Sequence, residues 1–374
     1  MMPLGPRDTS SLVMLTGWDA TELKEFELAD GTSFANVLSM MNAGLGALNA
    51  ELYAHPLFSK IVSYTDMPEV EYRVGTSTRF EQHTEYGLPD AQRAETAGHM
   101  LPYLEWDYGL GWTYDYLKRA RMAQVAADLR AANDAARDKY RIGLLSRLFK
   151  RGDDTGNSKG LGATGISPGF ATAAAATGVD FVPPGFGGNT FTEDHEHYVA
   201  IAGGVITDNV FADIVADLRE HGHEPTYDVI VSPLDAAAVK ALDGTVEVAS
   251  RLVRYGSDQD LANIAQSSIT PGIYPIGVNN DCVIWSVPGV PRYYAFGWKS
   301  YGANSARNPL RVRLEKGRSR PQIYAMRHPN ANQGYFPLQN MYVFFNFAVG
   351  VGEDRTNGTA RYVNNATWTD GQPS

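Results

Sequence analysis

With 374 residues, 44% hydrophobic and 20% charged, the chain has ordinary globular composition and enough apolar material for a sizeable core. One cysteine, Cys282, excludes an internal disulfide and a thiolate metal cluster, and fits a reducing compartment. The net charge of −10 argues against a dedicated nucleic-acid binder, and no run of roughly 18 apolar residues is present to span a membrane.

Residues 1–33 lack sustained periodicity and read as an extended arm, without the basic and apolar regions of a secretory leader. Leu12, Val13, Met14, Leu15 and Trp18 cannot be buried locally and are expected to seek a neighbour's surface. Ser33 reads as the cap of a helix carrying Phe34, Val37, Leu38, Met41, Leu45 and Leu48 at helical spacing. Val70 to Val74 alternates as a half-exposed strand does, and Leu101 to Trp106 reads as a weaker return strand. The polar stretch between them has few core candidates, so it is either a functional loop or a disordered surface loop.

From Trp112 to Lys150, proline is absent, and Leu117, Val125, Leu129, Ala132, Ala136, Tyr140, Leu144 and Leu148 recur at steps of mostly three or four. This predicts a helix roughly 55 Å long lying across a sheet. Asp134–Arg137 and Asp138–Arg141 support it as i,i+3 pairs, while Gly143 is a weak point. Arg151 to Thr190, rich in Gly, Ala, Thr and Pro, reads as loop with short strands. Thr207 then caps DNVFADIVADLREHG, which Gly222 ends. Asp228 to Val231 is a buried strand, and Ser232-Pro233 opens a second helix, LDAAAVKAL. From Tyr274 strands dominate (YPIGV, CVIWSV, RYYAFGW, LRVRLEK, QIYAMR, MYVFFNFAVGV and TARYV), with a tight turn in GVNNDC.

The metal-like grouping is Asp194-His195-Glu196-His197, with His221 and His223 downstream. On a helix His195 and His197 would point about 200° apart; on a strand they would share a face. Without HExxH spacing the segment reads as a solvated turn, and no metal ligand is assigned. A metal-dependent hydrolase using His195 and His197 is the alternative from another functional class. Gly160 to Gly165 has the GxGxxG pattern but lacks the flanking strand and helix of a phosphate loop. GxxxxGK[ST], GxSxG and CxxC are absent, so no catalytic or cofactor-binding residue is assigned and no cofactor is expected. Tyr293, Tyr294, Phe296, Trp298 and Tyr301 sit where aromatics serve as core or interface more often than as base-stacking groups.

Charge is unevenly spread. Residues 191–260 carry 14 acidic and 4 basic side chains; residues 292–327 carry 9 basic and one acidic. Two surfaces meeting different partners are expected. The arginines of the second block would contact either phosphates or a neighbouring subunit's acids, the latter being preferred.

The order of arm, long polar hairpin, very long helix, α/β unit and closing strands resembles the tailed-phage major capsid proteins of the Hong Kong 97 type. EPTYDVIVSPLDAAAVKAL is similar to the strand-then-helix segment of their axial (A) domain. VPGVPRYYAFGWKSYG and NPLRVRLEKG resemble the return into their peripheral (P) domain, and FNFAVGVGEDRTNGTARYV their closing strands. The resemblance implies an α+β fold: an N-terminal arm and short helix over 1–66 and an extended E-loop over 67–110. A P-domain with the spine helix would cover 111–190, an A-domain 191–290, and P-domain return strands 291–374. It further implies hexamers and pentamers in an icosahedral shell that encloses double-stranded DNA without sequence specificity. Scaffolding, portal and decoration proteins would be the other partners, without a membrane, in a virion capsid assembled in the host cytoplasm. An encapsulin-type protein compartment is the second reading. Arg73, Arg79, Glu81, Glu85, Asp90, Arg93 and Glu95 on the hairpin, and Arg311, Arg313, Arg318 and Arg320, are the expected intersubunit contacts. Some members of that family cross-link a lysine of the E-loop to a neighbour; residues 68–106 contain no lysine, so that chemistry is not expected here.

Overall fold

The computed structural model describes residues 15–16, 27–74, 95–152, 154–157, 164–167, 169–170, 195–247, 273–327 and 338–373. In chain order these form β1 (Leu15–Thr16), α1 (Phe34–Ala54), α2 (Phe58–Ile61), β2 (Val62–Thr65) and β3 (Glu69–Val74). β4 (Glu95–Met100), β5 (Asp107–Thr113), α3 (Tyr114–Arg119) and α4 (Met122–Leu148) follow. Next come β6 (Asp154–Asn157), β7 (Thr164–Ser167), β8 (Tyr198–Ala200), α5 (Asp208–Glu220), β9 (Tyr227–Val231) and α6 (Ala236–Lys240). Strands complete the chain: β10 (Val246–Glu247), β11 (Tyr274–Asn279), β12 (Cys282–Ser286), β13 (Tyr294–Trp298) and β14 (Leu310–Leu314). The last are β15 (Tyr324–Arg327), β16 (Leu338–Phe344), β17 (Phe347–Val351) and β18 (Thr359–Tyr362). They fall into two compact units, one from residues 1–54, 104–140 and 318–347, the other from 55–103, 141–317 and 348–374.

In the first unit, α1 buries Val37, Leu38, Met41, Leu45 and Leu48, the stripe its spacing predicts. Ser33 Oγ accepts from Asn36 N at its start. The sheet runs β1-β15-β16-β5. Leu15 and Thr16 of the arm pair in parallel with Ala325 and Met326 of the same chain; Leu12, Val13, Met14 and Trp18 lie outside the described residues. The long helix is shorter than expected, about 40 Å for 27 residues. Trp112 belongs to β5, and its indole N–H donates to Asp128 Oδ2 (2.9 Å). Thr113 caps the separate helix α3, which ends at Ala120 in an extended conformation. The break holds because Asp30 Oδ2 accepts from Met122 N (2.7 Å) and Gln124 Oε1 from Arg121 N, satisfying amide donors at the new helix start. Gly143 does not interrupt α4. Arg137 forks onto Glu51 of α1 and also pairs with Asp134, as the i,i+3 spacing predicts.

The second unit is built around a seven-stranded sheet of order β10-β11-β12-β9-β13-β18-β8. β9 is buried along its whole length between β12 and β13. Val210, Phe211, Ile214, Val215 and Leu218 of α5 pack with Tyr227, Val229, Ile276, Ile284 and Ala295 into one core. β13 shows how sequence serves this packing. Tyr294, Phe296 and Trp298 alternate onto one face, where Phe149 lies 5.4 Å from Tyr294 and Phe170 lies 5.3 Å from Phe296. Ala295 and Gly297 take the opposite face, and a Cβ on Gly297 would lie 2.3 Å from Ile214 Cγ2, so helix α5 has room only for glycine there. These aromatics are core, as their strand spacing predicts. Gly222 (φ +81°) ends α5, and Asn280 and Asp281, at φ 47° and 64°, make the tight turn between β11 and β12.

Three expectations on the strands and helices are corrected. The return strand is Glu95–Met100, not Leu101–Trp106, where Pro102 has no amide donor for a ladder. MYVFFNFAVGV divides at Phe345-Asn346 into strands of two different sheets: β16 lies between β15 and β5, and β17 is the edge strand beside β14 in the sheet β17-β14-β2. α6 covers only Ala236–Lys240 of LDAAAVKAL, because Ser232 to Asp235 form a turn closed by Asp235 N donating to Ser232 O.

Candidate functional site

β3 and β4 make an antiparallel hairpin in register from Glu69 opposite Met100 to Val74 opposite Glu95. A Cβ on Gly98 would meet Val70 O at 2.7 Å, so the strands approach too closely there for a side chain. Arg73 and Glu95 sit at the outer end of this ladder; Arg79, Glu81, Glu85, Asp90 and Arg93 lie outside the described residues. The root is tied down. Leu101 N donates to Pro68 O (2.7 Å), and Arg313 Nη1 donates to Leu101 O (2.8 Å). The Arg313 guanidinium also lies 5.2 Å over the Tyr103 ring.

His99, which the sequence reading passed over, completes the root. It is buried, and its Nε2–H donates to Val351 O (3.1 Å) of β17. Burial, helped by the Arg355 and Arg147 charges, pushes its pKa down to about 3. Because the unfolded value lies near 6.5, the unfolded chain binds a proton between the two values that the folded chain does not. Stability from this group is therefore intact above about pH 6.5 and falls as the pH drops toward about 3, by up to about 1.4 kcal/mol per unit. His99→Gln is expected to flatten this part of the melting-temperature profile. An identical profile in variant and parent would assign the acid loss to other groups.

The basic block is largely engaged within its own chain. Arg292 pairs with Asp235 (3.6 Å), Arg307 with Asp354 (3.3 Å) and Arg311 with Glu353 (2.9 Å). Arg313 is buried at the hairpin root. Arg318 lies 4.9 Å over the Tyr324 ring and the exposed Arg320 lies 4.4 Å over the Tyr53 ring.

The solvated-turn reading of the histidine segment is overturned. His197 O accepts from Ala360 N (2.7 Å), so this segment enters the sheet edge as β8 instead of turning in solvent. His197 and His221 are fully buried and His195 is 15% exposed. His195 Nε2 and His197 Nε2 each lie 3.0 Å from His221 Nε2. Glu220 Oε1, from the last residue of α5, lies 3.3 Å from His195 Nε2. Its only sequence signal is adjacency to His221. His223 stands apart, between the Tyr301 hydroxyl and Thr356 Oγ1. Burial lowers the pKa of His195 and His197 and raises that of Glu220, in each case favouring the neutral form.

Beside the cluster, buried Arg361 pairs with Asp217 of α5, and the Thr359 hydroxyl contacts the same carboxylate at 2.7 Å, joining β18 to that helix. Among the described residues no helix is long and apolar enough to cross a membrane.

No protein-family model and no curated protein matches the sequence. Among solved structures, a chain of Mycobacterium phage Patience matches with a TM-score of 0.63 at 18% identity, covering 91% of this chain and 91% of that one. A chain from the asymmetric unit of the bacteriophage PhiM1 mature capsid matches with a TM-score of 0.49 at 11% identity, over 83% and 88%. One from the capsid of the cyanophage P-SCSP1u matches at 0.47 and 7% identity, over 83% and 88%. The chain thus shares the fold of the Patience chain, an α+β fold resembling that of Hong Kong 97-type capsid proteins.

Proposed function

We propose that this chain is a major capsid subunit that self-assembles through hexamers and pentamers into an icosahedral shell around double-stranded DNA. The observation that carries the reading is the fold shared with the phage Patience chain over nine-tenths of both chains. A hairpin rooted by Arg313 and His99, whose intervening sequence is polar and has few core residues, supports it. In this reading the hairpin is the E-loop and α4 the spine helix. Residues 191–290, with α5 and α6, form the A-domain, and residues 291–374 the return strands of the P-domain. The role is structural, not catalytic. Assembly takes place in the host cytoplasm, with scaffolding, portal and decoration proteins as further partners.

The contacts between subunits in this reading include Arg73, Arg79, Glu81, Glu85, Asp90, Arg93 and Glu95 from the hairpin. Arg311, Arg318 and Arg320 are the complementary basic set, whereas Arg313, buried at the hairpin root, is taken up inside its own chain. Reversing Arg311 or Arg313 would also break contacts inside the subunit, so Arg318 and Arg320 give the cleaner test. Arg318→Glu with Arg320→Glu, expressed without a genome, should leave a folded subunit and few shells by negative-stain microscopy. Normal numbers of empty shells would remove these two arginines from the subunit contacts.

A further inference from the structure

The geometry points to a structural transition-metal site, of the zinc(II) class, formed by His195, His197, His221 and Glu220. The four ligand atoms all lie within 4.8 Å of one another. A tetrahedral ion with bonds of about 2.0–2.1 Å holds its ligands roughly 3.3 Å apart. The separations of 3.0 Å from His195 Nε2 and from His197 Nε2 to His221 Nε2, and of 3.3 Å from His195 Nε2 to Glu220 Oε1, are close to that spacing. Glu220 Oε1 is 3.9 Å from His221 Nε2, a shift within the reach of one flexible side chain. The three imidazole planes are inclined to one another by 64–69°, so the rings do not stack, and both 3.0 Å contacts to His221 run through Nε2 atoms.

The protonation pattern fits. His197 Nδ1 lies 2.7 Å from Gly358 O, and a carbonyl only accepts, so Nδ1 carries the hydrogen and the neutral ring presents its Nε2 lone pair. This is the backbone brace that orients metal-binding histidines. Three nitrogen atoms this close repel one another unless a proton or a cation lies among them. The site also stands at the C-terminal end of the 13-residue helix α5, whose dipole favours positive charge. Three imidazoles with one carboxylate favour zinc over magnesium or calcium, which prefer all-oxygen shells. The ion would fasten the entry of β8, at the sheet edge, to the end of α5. This inference does not depend on the shell reading.

The test uses the full chain in its purified state, stripped with a chelator and reloaded with zinc(II) or cobalt(II). Expected are a stoichiometric zinc content per subunit by elemental analysis, a tetrahedral cobalt spectrum, and a melting temperature that rises with zinc and falls on chelation. His197→Ala and His221→Ala open buried holes, so His195→Ala, at the partly exposed side, is the decisive variant. It should keep the parent's circular dichroism and lose at least about tenfold in zinc affinity together with the cobalt spectrum. Folded parent protein that takes up no zinc, or uptake unchanged in His195→Ala, would overturn the site.

Discussion

Replacing residues 75–94 with an Asn-Gly turn is expected to yield a soluble, folded subunit that forms no shells. Val74 and Glu95 already face each other in the ladder, so a two-residue turn closes the hairpin without altering its register. The root contacts, Leu101 with Pro68 and Arg313, and His99 with Val351, all lie outside the replaced segment. The subunit's own fold is therefore preserved. What is lost is a polar segment with mixed charges, Arg79, Glu81, Glu85, Asp90 and Arg93. Single exposed ion pairs are worth about 0–1 kcal/mol, but a shell repeats each contact many times. Circular dichroism reads the fold and negative-stain microscopy counts the shells. Normal shells from this variant would refute the assignment of the hairpin to subunit contacts.

Asp217→Ala is expected to be among the most destabilising single changes in the second unit. Arg361 is 2% exposed, and Asp217 is its carboxylate partner. Removing one member of a buried pair typically costs about 3–5 kcal/mol, because the remaining charge stays desolvated. The Thr359 hydroxyl and the Ala360 carbonyl, which also accept from Arg361, do not replace the lost charge. Replacing both members, as Asp217→Leu with Arg361→Met, should recover much of the loss. Thermal melting followed by circular dichroism checks the order: parent highest, double variant next, Asp217→Ala lowest. A single variant that melts with the parent would show that β18 and α5 are held by apolar packing alone.

Where one element's own pattern decides its structure, the sequence could be read directly. The α1 stripe, the buried run of β9, the Gly222 stop of α5 and the Asn280-Asp281 turn all followed from local spacing and backbone preference. Elements decided by distant partners could not be read. ETAGHM is a weak strand former and becomes β4 only because Val70 to Val74 pairs with it and His99 is buried beneath. The helix break at Ala120 depends on Asp30, distant in sequence, capping Met122. The division at Phe345-Asn346 depends on β14 claiming β17 while β5 claims β16. The histidine cluster follows the same rule. His195 and His197 share a locality, but His221 and Glu220 reach them only through the packing of α5 beside β8 and β18, a tertiary fact absent from local spacing. The charge asymmetry is present in the sequence, yet part of it is neutralised within the chain through pairs such as Arg292–Asp235 and Arg311–Glu353.

Electron microscopy of the purified, unmodified chain over a range of concentrations tests shell formation directly. Closed particles of uniform diameter, or rings of five and six chains that convert into them, are expected. A compact monomer at every concentration, with a normal circular dichroism spectrum, would contradict it.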